Sequence, residues 1–119
     1  SLPLSYLYDP DAAITKAGAF KIISTIFNVE KLHTNVHLYT SESLKLDFPG
    51  RILHIINTFS FNQFKKQNQI LKANVVSKNF SMKVEEIRKK FKIKDGGSDF
   101  LYFTTDQLGN HIVIHCVKI

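Results

Sequence analysis

Ten cations fall between Asn62 and Lys94 of this 119-residue chain: Lys65, Lys66, Lys72, Lys78, Lys83, Arg88, Lys89, Lys90, Lys92 and Lys94. Only Glu85 and Glu86 oppose them, so the stretch carries +8, whereas the remainder, with six basic and eight acidic residues, carries −2. A molecule with one basic end suits a polyanionic partner. Ammonium and guanidinium groups reach phosphates by charge, and Asn74 and Asn79 add amide hydrogen bonding. The plainer reading of the same charges is a solvated lysine-rich face. Phe61, Phe64, Phe80 and Phe91 interleave the cations, but at spacings of core positions. The place of Phe80 just before Ser81 favours helix packing over stacking on a base.

Other chemistry is thin. His111 and His115 lie four apart on an extended stretch, roughly 13 Å from each other along one face, too far for two ligands of one ion. His33 and His37 fall in irregular chain, His54 stands alone, and no helical H-E-x-x-H occurs. Cys116 alternates with Ile112 and Ile114 and is expected to pack inward as a small hydrophobe, away from both neighbouring histidines. Asp95, Asp99 and Asp106 could pair for acid–base work, but all three sit at turns, where capping and solvation explain them. The one Gly-Gly, Gly96-Gly97, follows a helix and precedes a strand, the wrong order for a dinucleotide or S-adenosylmethionine turn. No phosphate-binding G-x-x-x-x-G-K-[ST] is present. No catalytic, cofactor-binding or metal-binding residue is therefore assigned.

The elements that would position the cations follow from periodicity. Asp9-Pro10-Asp11 reads as a helix start, with Asp9 as cap and Pro10 in the first turn. Ala13, Ala17, Phe20, Ile23 and Phe27 recur at helical spacing, widened by Ile14, Ile22 and Ile26, which predicts a helix over 10–28 ending at Asn28. Gly18 costs that helix about 1 kcal/mol and suggests a close approach of backbone or ligand. Residues 29–48 read as irregular, with a short extended piece at 36–40. Pro49-Gly50 is a turn signal that divides the chain into 1–48, a helix with connecting segment, and 49–119, a denser α/β unit. There, 51–61 reads as a central strand. Leu53, Ile55 and Phe59 point one way, and Ile52, His54, Ile56 and Thr58 the other. A helix follows over 62–71 with Phe64 and Leu71 inward, then a strand over 73–77. Ser81 caps a third helix with Val84, Ile87 and Phe91 inward. Strands over 100–105 and 111–118 flank a Gly-containing loop. The expected class is α+β: an N-terminal helical segment, then β-α-β-α-β-β, forming a mixed sheet with helices on one face.

Composition sets bounds. A 44% apolar fraction excludes a disordered tail, and 22% charged residues is ordinary for a globular surface. One cysteine excludes an intrachain disulfide and a multi-cysteine zinc site. It fits a reducing compartment, so a cytoplasmic location is expected. No apolar run approaches the roughly 20 residues of a membrane span. Ser1-Leu2-Pro3 carries no positive n-region of a signal peptide. Without an initiator Met, the chain is expected to be a processed product or an excised fragment.

Several stretches taken together resemble a known family. Residues 8–19, Tyr8-Asp9-Pro10-Asp11 through Gly18-Ala19, are similar to the segment joining a class I methyltransferase domain to its C-terminal module. Residues 73–80 (ANVVSKNF), 84–91 (VEEIRKKF) and Asp95-Gly96-Gly97 resemble that module, with Leu38-Tyr39-Thr40-Ser41 and Phe48-Pro49-Gly50-Arg51 fitting between. The family is the THUMP-like domain that ends bacterial, Bacteroidetes-type S-adenosylmethionine-dependent methyltransferases. The resemblance implies a non-catalytic accessory domain of an enzyme that modifies RNA, either rRNA or tRNA. S-adenosylmethionine would then be bound by an upstream methyltransferase domain of the same chain, itself a partner, with no membrane involved. On this reading Lys78, Arg88, Lys89 and Lys90 contact RNA, with Lys65, Lys66, Asn79 and Lys92 beside them. The alternative is a structural module that docks on the catalytic domain without touching nucleic acid. An independent small enzyme is the remote third option.

Overall fold

The computed structural model describes residues 2–16 and 20–119. Gly18 and Ala17, to which the sequence gives roles in a helix, lie outside the described residues, and the side chain of Phe20 with them. The elements run β1 (Tyr6–Pro10), α1 (Ala12–Lys16), α2 (Phe20–Phe27), β2 (Glu30–His33), β3 (Val36–Ser41), β4 (Gly50–Ser60), α3 (Phe61–Gln67), β5 (Asn74–Ser77), α4 (Val84–Phe91), β6 (Asp99–Thr105) and β7 (His111–Lys118). The strands form one seven-stranded sheet in the order β2-β3-β1-β4-β7-β6-β5. Among the described strands β5 and β6 alone pair in parallel, so the sheet is mixed and the expected α+β class holds.

The N-terminal part differs from its local pattern. Asp9 and Pro10 end a strand instead of starting a helix, with β1 laid between β3 and β4. Helical structure begins at Ala12, after Asp11 donates its N–H to Pro49 O at 3.1 Å. Residues 30–41, expected to be mostly irregular, form the β2–β3 hairpin. Asn28 does stop α2, adopting φ 52°.

Strand β4 is central, as its apolar residues on both faces imply, but a bulge between Ile55 and Asn57 changes its facing. Leu53 and Ile55 lie on one face, and Phe59, two residues past the bulge, lies on the other, packed with Phe64. Helix α3 stops at Gln67, so Leu71 falls outside it and is 65% exposed instead of inward.

One face of the sheet carries the helices. Ile23 and Phe27 of α2 pack with Tyr8, Tyr39 and Phe48, while Phe64 and Ile87 of α3 and α4 pack with Leu101, Phe103 and Val113. The other face buries Leu7, Leu38, Leu53, Tyr102, Ile114 and Cys116 to zero exposure, and among the described residues no helical side chain belongs to that cluster. It closes because the sheet rolls up on itself. Asp9 of β1 accepts a hydrogen bond from the hydroxyl of Tyr102 on β6 at 2.8 Å, although β4 and β7 lie between those strands in the sheet.

Cys116 lies inside that concave layer. Burial pushes its thiol up to about 12, only partly countered by the Arg51 charge. A native thiol that holds its proton while the unfolded thiol loses it near pH 8.5 makes stability fall as pH rises. Below pH 8 both states are protonated and the contribution is constant. Between about pH 9 and 12 it is lost at up to roughly 1.4 kcal/mol per pH unit. Urea unfolding at pH 8 and pH 10 should therefore show a larger loss for the wild type than for Cys116→Ala. A thiol reagent at pH 8 should modify Cys116 only after unfolding.

Candidate nucleic-acid interface

Helix α3 starts where the Ser60 hydroxyl accepts the Gln63 N–H at 3.1 Å and the Gln63 side chain accepts the Ser60 N–H at 3.0 Å. That register turns Phe64 into the core and puts Lys65 and Lys66 in the exposed last turn, where cations suit the negative end of the helix. Helix α4 is capped at Lys83, two residues later than the expected Ser81. The Glu86 carboxylate accepts the Lys83 N–H at 3.1 Å. The earlier Ser77 hydroxyl ties down Met82 O, which fixes the approach to the helix. Ile87 is buried, Val84 and Phe91 pack beside it, and Lys89 and Lys90 face outward. Lys92 closes the helix in a left-handed conformation, φ 56°, with its side chain exposed.

The two helices meet through their aromatic rings. Phe64 and Phe91 are 5.1 Å apart, Phe61 and Phe91 6.0 Å, both edge-on. Lys65 Nζ stands 5.0 Å from the Phe61 ring and Lys90 Nζ 5.8 Å from the Phe91 ring. The exposed lysines are thus carried on two helices that meet through one Phe layer, and two of them, Lys65 and Lys90, stand over its rings.

The other candidates are placed differently. Arg88 turns under α4: its guanidinium donates to Ala73 O at 3.2 Å, Ile93 O at 3.3 Å and Asp95 at 2.8 Å. Lys78 pairs with Asp9, which also takes the Tyr102 hydroxyl and lies 3.6 Å from Arg51. Arg51 in turn donates to the Tyr102 oxygen at 3.2 Å. Burial and the adjacent Asp9 carboxylate drive the Tyr102 hydroxyl far above its ordinary range, so it stays a donor. Asn79, left-handed at φ 53°, reaches across the seam to within 3.5 Å of His33 Nδ1 on β2. The eight residues named from sequence therefore divide into an exposed lysine set on α3 and α4 (Lys65, Lys66, Lys89, Lys90, Lys92), an anchored Arg88, and a pair, Lys78 and Asn79, at the seam of the rolled sheet.

Among the described residues no three His, Cys, Asp or Glu side chains converge as metal ligands. His115 pairs with Asp99 at 2.7 Å, and the ring of His111 lies 4.8 Å from that of Phe80. Among the described residues no helix is long and apolar enough to cross a membrane.

A family model described as a ferredoxin-like domain matches residues 6–49, and one described as THUMP domain-like matches residues 50–118. No curated protein matches the chain. A solved structure, described as a "putative methyltransferase from Porphyromonas gingivalis W83", superposes with a TM-score of 0.89 at 33% identity. The match covers 99% of this chain and 31% of that one, so the chain spans about a third of the length of that structure. With more than half of its residues in the THUMP domain-like match, this chain belongs to the THUMP-like family.

Proposed function

We propose that this chain is a non-catalytic accessory domain of a class I, Bacteroidetes-type S-adenosylmethionine-dependent methyltransferase, and that it binds and positions an RNA substrate. S-adenosylmethionine and the chemistry belong to another domain of such an enzyme, working on rRNA or tRNA in the cytoplasm. The observation that carries the reading is the exposure of Lys65, Lys66, Lys89, Lys90 and Lys92 on or beside two helices joined by one Phe layer. Likeness to the methyltransferase structure supports the enzyme context. Lys78, which holds Asp9 at the seam, and Arg88, which holds Asp95 beside α4, are read as part of the scaffold.

The test is a fluorescence anisotropy titration with labelled RNA at two salt concentrations. With four to five phosphates neutralised, the log–log slope is about −3 to −4, and raising salt from about 50 to 200 mM weakens binding about 60- to 250-fold. Absence of binding at the lower salt removes the reading. A specific observation favours the alternative of docking on a catalytic domain without touching nucleic acid. Ile22 and Ile26, one turn apart on α2, are 56% and 63% exposed. That alternative predicts no RNA binding in the same titration.

A further inference from the structure

A row of rings runs from the lysine surface to an open cleft. Phe91 meets Phe61 at 6.0 Å, Phe61 meets Phe80 at 5.0 Å, and Phe80 meets His111 at 4.8 Å. The three phenylalanines are half-buried and pack inward on Phe103. His111, at the end of the row, is exposed, so packing alone does not account for it. It lines a cleft of about 540 Å³ between the end of β4, the first turn of α3 and the β6–β7 loop. That volume lies within the range of small-ligand sites. Phe61 and Ile112 give the cleft apolar walls, and Asn62 and Asn110 give it amides. Both asparagines are exposed, and among the described residues no protein hydrogen bond occupies either side chain or the His111 ring.

The one carboxylate in the wall is turned away. Asp106 is 5% exposed and its Oδ1 accepts the N–H groups of Leu108 and Asn110, both at 2.9 Å. Helix α3 brings cations beside the cleft, with Lys65 Nζ 5.0 Å from the Phe61 ring that lines it. Lys66 stands one turn above Asn62, and Lys65 one turn above Phe61.

We propose that this cleft takes one unpaired nucleobase of the bound RNA, stacked on His111 and hydrogen-bonded at its edge by Asn62 and Asn110, with the adjoining phosphates on Lys65 and Lys66. The proposal rests on the RNA-binding reading above and adds the class of RNA: single-stranded or splayed at the contact. An amide offers a donor and an acceptor together, as a base edge does. A ring reaches the face of a base only when that base is out of a duplex.

The experiment uses a short single-stranded RNA carrying one 2-aminopurine, and its duplex, with the whole chain at about 50 mM salt. The single strand should bind more tightly than the duplex, with the 2-aminopurine emission quenched by stacking. His111→Ala should weaken single-strand binding about 5- to 100-fold, the worth of one stacked base, and abolish the quenching. Its salt slope should stay that of the wild type, whereas Lys65→Ala with Lys66→Ala should make the slope shallower. If His111→Ala loses its circular dichroism, Asn62→Ala carries the same test from an exposed helix position. Equal binding of duplex and single strand, or unchanged affinity and quenching in the folded variant, overturns the base cleft and leaves the basic surface standing. Failure of the wild-type chain to bind either RNA overturns both.

Discussion

Gly50→Ala is expected to lower the melting temperature by roughly 10 °C or more, following a loss of about 3 kcal/mol or more. Gly50 opens β4 and faces Pro10 at the end of β1. A Cβ there would lie 2.3 Å from Asp9 O, 2.7 Å from Pro10 Cα and 3.0 Å from Asp11 N. All three are backbone atoms: Asp9 and Pro10 are paired with β4, and the Asp11 N–H is bonded to Pro49 O, so none is the end of a flexible side chain that could swing aside. Relief would require β1 to lift from β4, and β1 carries Asp9, the acceptor for Tyr102 and the partner of Lys78. Loss of that pairing would undo the closure that buries the concave layer. Domains of this kind have about 5–15 kcal/mol in all, so the variant is close to the limit of folding. Gly109→Ala is the control. Gly109 has φ +85°, but nothing lies within 4 Å of its added Cβ, so only the backbone cost of roughly 1–2 kcal/mol applies. Thermal melts of the three proteins should rank wild type, Gly109→Ala, Gly50→Ala. A Gly50→Ala melt as high as that of Gly109→Ala would show that β1 does not sit on Gly50 as described.

Charge reversal on the helical surface should have the largest functional effect. The fourfold variant Lys65→Glu, Lys66→Glu, Lys89→Glu and Lys90→Glu should lose at least about 100-fold in RNA affinity at 50 mM salt, with a log–log slope close to zero. Each reversed lysine removes one displaced counterion and adds a repulsion. The fold should survive, because these side chains are exposed and only two of them stand over rings, contacts worth about 0.5–1 kcal/mol each at such sites. The same four positions changed to Gln separate lost attraction from added repulsion, and circular dichroism checks the fold of both. Lys78→Gln should behave in the opposite way. It strips Asp9 of a partner and lowers stability, yet leaves the salt slope nearly intact. Binding by the fourfold variant within threefold of wild type would sink the role of this surface.

Much of this protein was legible from local pattern because its cause is local. The Val84, Ile87 and Phe91 stripe, the loop between Asp106 and Asn110 and the stop at Asn28 each depend on neighbours within about one turn or one hairpin. The concentration of cations between residues 62 and 94 is likewise a property of sequence alone. What only the tertiary structure decided depends on partners far along the chain. Asp9-Pro10 reads as a helix start, since its reasons to be a strand are its own pairing with Arg51 and Gly50 and that of Tyr6 to Tyr8 with Tyr39 to Ser41, all far along the chain. A single bulge sends Phe59 to the helix face, and no periodicity reveals where a bulge falls. Lys78 is one more lysine in a basic run until the rolled sheet brings it to a carboxylate 69 residues away, while Lys65 and Lys90, 25 apart in sequence, stand over two rings, Phe61 and Phe91, that lie 6.0 Å from each other. Charge is written in the sequence. Which charges reach solvent and which are spent holding the sheet closed is set by long-range strand pairing, whose free energy comes from contacts that no local window contains.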